Sequence, residues 1–133
     1  MPNRHPYTWL FGAWMIFITT LSLIPLSGLE DEGLDIPYID KAVHFVFHGV
    51  ATVLGCLFLR EINQKKRSLR QTLYLVVGTL MIYGIIIEVV QYAFTTWRSG
   101  DPIDALANTL GALTGAVAIT IFYSGDRQQK WKN

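Results

Sequence analysis

A chain of 133 residues is one domain's worth of sequence. Only 16% of its residues are charged, against about 25% in soluble domains, and 51% are hydrophobic with a mean hydropathy of +0.32, which argues against a soluble core and for a membrane protein. A net charge of +1 gives no reason to invoke nucleic acid as a partner, and the lone cysteine, Cys56, excludes both an intrachain disulfide and the cysteine clusters of zinc sites.

The polar start, Met1 to Tyr7, carries Arg4 and His5. From about residue 8 to 26 runs an apolar stretch without an ionisable group, near the roughly 20 residues of a spanning helix. Trp9 and Trp14 lie toward its start, where indoles suit the interface. The stretch is longer than the h-region of a signal peptide, and Ile24-Pro25-Leu26-Ser27-Gly28 is a poor cleavage site, so it reads as a first, uncleaved span. Ser27 to Asp40 is an acidic loop with Glu30, Asp31, Glu32, Asp35 and Asp40. A second span covers about 41–59, followed by a basic loop holding Arg60, Lys65, Lys66, Arg67 and Arg70 against the single acid Glu61. A third span covers about 72–94 and a fourth about 102–123, joined by a short turn containing Trp97, Arg98 and Gly100. These runs are long and uniformly apolar, not the short alternating strands of a barrel, so the expected fold is all-α: one domain, residues 1–133, built as an integral membrane bundle of four transmembrane helices.

Orientation follows from lysine and arginine in short loops. The two termini and the middle loop share one side and hold nearly all of the basic residues, while the other side holds only Lys41 and Arg98. Both termini are therefore expected in the cytoplasm, with the acidic loop facing outward.

That outward side carries a polar layer. Asp40, His44 and His48 follow i, i+4 spacing and share one face of the second span. Glu88 and Gln91 lie near the end of the third span, Glu88 about 9 Å from it at the helical rise per residue. Asp101, Asp104 and Asn108 open the fourth. Ionisable groups at such depth cost a few kcal/mol unless paired or hydrated. Each has a plainer reading beside the functional one. Asp101-Pro102-Ile103-Asp104 is a helix start, with Asp101 as N-cap and an acid three residues on, and Asp40 is placed to cap the second span in the same way. The histidines would then only bond across helices. Glu88 is hardest to explain away; it needs a cation, a proton or a polar partner, and Arg98, Lys41 and His44 are the candidates, with Arg98 first and Lys41 next among the cations. In the fourth span Ala107, Gly111 and Gly115 make a small-residue face suited to close packing, into the bundle or, alternatively, as a homo-oligomer through Gly111 and Gly115.

The ordered set Asp40-Lys41-x-x-His44-Phe45-x-x-His48, Glu88-x-x-Gln91 and Arg98-x-x-Asp101-x-x-Asp104-x-x-x-Asn108-x-x-Gly111 resembles the VanZ-like family of small membrane proteins, over about residues 24–122. The family is named for a protein linked to low-level teicoplanin resistance. The resemblance implies a multi-pass protein of the bacterial cytoplasmic membrane with a role in the cell envelope; it supplies no reaction. The leading reading is a pocket of Asp40, Lys41, His44, Glu88, Gln91, Arg98, Asp101, Asp104 and Asn108 that binds a lipid head group or a lipid-linked cell-wall precursor, with Lys41 and Arg98 on its phosphate or carboxylate. The second is an intramembrane enzyme with Glu88 or His44 as acid or base. The third is a structural module. A divalent metal on His44, Glu88, Asp101 and Asp104 is a lesser alternative: no motif such as H-E-x-x-H is present, and no metal or other cofactor is expected.

Overall fold

Four apolar runs become four helices: α1 (Pro6–Leu23), α2 (Ile39–Ile62), α3 (Leu69–Phe94) and α4 (Pro102–Phe122). The structure, a computed structural model, describes residues 5–24, 38–64, 66–96, 101–124 and 131. All four helices are long and apolar enough to cross a membrane. At 1.5 Å per residue they measure about 27–39 Å, which brackets a hydrocarbon core of about 30 Å. The fold class is thus the expected all-α bundle.

The helix ends differ from the expected spans because caps, not hydropathy, set them. α1 stops at Leu23, and Ile24 turns extended (φ −84°, ψ 147°), as the residue before a proline tends to. α3 starts three residues before its apolar run, where Ser68 and Gln71 form a reciprocal capping box. α2 departs from expectation at its start. Asp40 does not cap it; Tyr38 holds the N-cap position in the left-handed region (φ 65°) without a side-chain bond, and Asp40 sits inside the first turn. His5 likewise makes no side-chain cap for α1. Glu61, the one acid of the basic loop region, reaches over from α2 and accepts bonds from Thr8 N and Thr8 Oγ1, each at 2.8 Å. A carboxylate there also meets the positive end of the α1 dipole.

α2 is the hub. It packs along α4, touches α3, and supports α1, which also touches α3. Ile82, Ile85, Ile86 and Val89 on α3 stay exposed, the lipid face of a spanning helix, while Val76, Leu80 and Ile87 turn inward. Cys56 is fully buried and serves as packing, in a core with Ile18, Ala51, Leu80 and Ile119. Trp9 is exposed as an interfacial indole would be, but Trp14 turns inward and donates Nε1–H to Phe47 O at 3.1 Å.

The small-residue face of α4 is filled by α2 of the same chain. A Cβ on Gly111 would collide with Phe45 O, one on Gly115 with Gly49 O, and one on Gly49 would come 3.3 Å from Gly111 O. Gly111 and Gly115 thus face α2 of the same chain, the inward packing expected for this surface. At the far end, Trp131 is buried, donates Nε1–H to Arg67 O at 3.1 Å, and accepts at its carbonyl from Arg60 Nε at 2.9 Å. The Arg60 guanidinium also lies over the rings of Tyr123 and Trp131.

Replacing Gly111 with leucine should therefore push α2 and α4 apart. The expected loss is about 1–3 kcal/mol, the usual cost of overpacking, read as a lower unfolding temperature in detergent. Gly12→Ala is the control: nothing lies within 4 Å of the added methyl, so the unfolding temperature should hold.

Candidate functional site

The polar layer begins at Lys41 in the first turn of α2. Its ammonium donates to Asp40 Oδ2 (3.1 Å), Asp101 Oδ2 (2.9 Å) and Asp104 Oδ1 (3.0 Å). All three ammonium protons therefore have carboxylate acceptors. Asp101 does two jobs. Its Oδ1 caps α4 by accepting from Ile103 N at 2.9 Å, and its Oδ2 holds Lys41. The reciprocal half of a capping box, expected from Asp104, comes instead from α3: the Asp101 N–H donates to Glu88 Oε2 at 3.1 Å. Asp104 is thereby released to face the bundle.

One turn deeper, three helices each contribute one buried group. His44 of α2, Glu88 of α3 and Asp104 of α4 are all more than nine-tenths buried. Glu88 Oε1 lies 4.0 Å from His44 Nδ1, and Asp104 Oδ2 lies 3.9 Å from His44 Nε2. Asn108 Oδ1 is 3.1 Å from His44 Nδ1 and orients the ring. Since an amide oxygen only accepts, Nδ1 carries a proton, and in the neutral ring Nε2 presents its lone pair toward Asp104. One ligand atom from each of His44, Glu88 and Asp104 lies within 4.8 Å of the others, so this trio could hold a metal ion; Asp101 is not part of it.

A second layer lies one helical turn below the first on the same three faces: His48 under His44, Gly84 under Glu88, Asn108 under Asp104. His48 is 4% exposed and Asn108 1%. Nδ1 of His48 meets the His44 carbonyl at 3.3 Å. His48 Nε2 and Asn108 Nδ2 have no hydrogen-bond partner among the described residues, and both lie 3.2 Å from where a Gly84 Cβ would stand. Sequence reasoning left Gly84 out; the signal was a glycine one turn before Glu88 in an otherwise bulky apolar run.

Of the residues expected to converge, Asp40, Lys41, His44, Glu88, Asp101, Asp104 and Asn108 do. Gln91 does not join the ionised groups through its amide nitrogen, which donates to the Ser22 carbonyl at 2.7 Å and ties α3 to α1. Arg98 lies outside the described residues, as does most of the acidic loop. Within the sequence-defined set, four carboxylates stand against two cations, Lys41 and Arg98.

On the bundle's opposite half an apolar recess of about 350 Å³ opens between α1, α2 and α3, lined by Phe11, Met15, Phe58, Leu75, Thr79 and Tyr83, among others. Tyr83 joins it to the polar layers, with its ring centroid 5.9 Å from that of His48. Its hydroxyl shares a 2.7 Å hydrogen bond with Thr19 Oγ1.

A family model described as VanZ/LLP1 matches residues 4–123, nearly the whole chain. The chain belongs to the VanZ/LLP1 family. No curated protein and no solved structure matches it. Family membership and four helices of spanning length make this VanZ/LLP1 member a multi-pass membrane protein.

Two outcomes follow from the Lys41 cluster. A double-mutant cycle over Lys41→Gln and Asp104→Asn should give a coupling free energy of about 0.5–3 kcal/mol in detergent unfolding, the range for residues sharing a network. Asp101 supplies the pH dependence. The Lys41 ammonium, and after it the Ile103 N–H, holds its carboxyl below the usual 3.8. A depressed folded value means that its stabilisation is present above the unfolded value and is lost as pH falls through the folded one. Wild type should therefore lose stability on acidification below about pH 4 more steeply than Asp101→Asn, as read by unfolding temperature against pH.

Proposed function

We propose that this VanZ/LLP1 protein binds the head group of an envelope lipid or lipid-linked cell-wall precursor from the outer face of the cytoplasmic membrane. The observation that carries the reading is the junction between two unlike surfaces. Buried ionisable groups occupy the start of α2 and α4, and an apolar recess lies beyond them, with Tyr83 and His48 in contact between the two. An amphiphile needs both surfaces, and a helix-packing device needs neither a recess nor a buried amide and imidazole left without partners among the described residues. The outward placement is supported by the lysine and arginine distribution. A link to teicoplanin resistance would follow from binding of a precursor that the antibiotic also meets; the family name is its only support here.

Two tests bear on this reading. Lipids extracted from the purified protein and identified by mass spectrometry should show one class enriched over the bulk membrane. Glu88→Gln should deplete it from the polar end and Thr79→Phe from the apolar end, with helicity unchanged in both. Identical lipid profiles across wild type and both variants would end the lipid reading. For orientation, a reporter fused after Asn133 should sit in the cytoplasm and a cysteine at Glu32 should label from outside. Labelling only from the cytoplasmic side would place the site in the inner leaflet.

A catalytic reading uses the same groups. An imidazole with a carboxylate near each nitrogen has the parts for acid–base work on a bound head group. Turnover of the enriched lipid by wild type, lost in His44→Gln with retained binding, would separate enzyme from binding protein.

A further inference from the structure

We infer that His44, Glu88 and Asp104 bind a divalent metal ion of the Zn²⁺ or Mn²⁺ class. Its use as the charge that receives a phosphate head group rests on the lipid reading above; its presence does not.

The first argument is the donor set. One imidazole and two carboxylates come from three different helices, all buried, with one ligand atom of each within 4.8 Å of the others. Ligands at about 2.0–2.2 Å from a tetrahedral Zn²⁺ stand about 3.3–3.6 Å apart. The trio thus needs to draw in by roughly an ångström, which rotation of the carboxylates supplies. Mixed imidazole and carboxylate ligation suits Zn²⁺ and Mn²⁺ better than Mg²⁺ or Ca²⁺.

The second argument is how the three are held. Each spends one polar atom on an anchor and turns another toward the centre. Asp104 gives Oδ1 to Lys41 and turns Oδ2 toward the ring. Glu88 gives Oε2 to the Asp101 N–H and turns Oε1 toward the ring. His44 gives Nδ1–H to Asn108 Oδ1, which leaves Nε2 as the nitrogen on the Asp104 side. Metal-binding histidines are oriented by an acceptor on their other nitrogen in this way. A cation bound between Nε2 and Asp104 Oδ2, which stand 3.9 Å apart, would be shared by both.

The third argument comes from the layer below. Asn108 Nδ2 and His48 Nε2 are buried, unpartnered among the described residues, and converge on Gly84 directly beneath the trio. With His48 Nδ1–H donating to a carbonyl, Nε2 is an acceptor, while Asn108 Nδ2 is a donor. A water needs two to four polar partners at a buried position. A metal-bound water would find a donor and an acceptor there.

The test uses the full chain in detergent, stripped with EDTA and dialysed against Zn²⁺ or Mn²⁺ alone. Wild type should retain one ion per chain by elemental analysis, and bound Mn²⁺ should show nitrogen hyperfine coupling from an imidazole in pulsed EPR. Asn108→Ala keeps all three ligands but frees the ring, and should weaken binding about 10–100-fold. His44→Gln should abolish it. No retained ion in wild type, bound Mn²⁺ without imidazole coupling, or equal binding by His44→Gln would each overturn the site; the EPR result needs no variant to fold. Metal binding with an unselective lipid profile removes the lipid reading and keeps this one. Selective lipid retention without metal does the reverse.

Discussion

The site depends on how closely two backbones approach. α2 and α4 meet where Gly111 faces Phe45 O and Gly115 faces Gly49 O, backbone against backbone. That contact fixes the axial register of α4 against α2, and register decides which turn of one helix faces which turn of the other. Asp104 and Asn108 reach Lys41 and His44 because Gly111 and Gly115 hold the next turns flush. A bulky residue at either glycine would separate the helices at the depth where the polar groups need each other most. In lipid there is no water to take over an abandoned partner, so loss of packing and loss of polar pairing are one event.

Within that frame the charges are distributed unevenly. Lys41 takes three carboxylates near the bundle end, where a partly exposed ammonium is cheap to keep. Deeper in, the carboxylates of Glu88 and Asp104 face an imidazole whose charge depends on a single proton. The outer layer is an ion pair network that holds its shape over the ordinary pH range. The inner layer gathers one imidazole and two carboxylates from three different helices.

Much of this was legible from residues alone, and the parts that were not have physical causes. Spacing of Asp40, His44 and His48, and of Asp104 and Asn108, put them on shared faces, because a helix repeats every 3.6 residues whatever surrounds it. The convergence of three helices followed from the cost of leaving such groups in lipid. The full set of partners did not follow, and Arg98, the first cation expected for Glu88, lies outside the described residues. Lys41 is taken by aspartates and Glu88 is held by the Asp101 N–H, an arrangement set by tilt and rotation that one-dimensional spacing does not contain. Gln91 looked like part of the site, yet its amide nitrogen bonds a backbone carbonyl on α1. Gly84 carries no chemistry of its own, and its importance lies in what approaches it. Glu61 looked like an odd acid in a basic loop, and its role appears only when α1 lies beside it.

The separation of partners along the chain has a consequence for biosynthesis. His44 and Asn108 are 64 residues apart, and Lys41 and Asp104 are 63 apart. At about 5–20 residues per second, roughly 3–13 s of translation pass between the appearance of α2 and that of its partners. During that interval α2 carries Asp40, Lys41, His44 and His48 with no α4 to satisfy them. It must therefore wait where water can still reach those groups, at the bilayer surface or in the lateral opening of the insertion machinery. Trp131, which bonds to Arg60 and Arg67 across the other end, emerges only after α4 is complete. That contact, at the end of the bundle away from the polar layers, therefore forms after α4 has become available to α2.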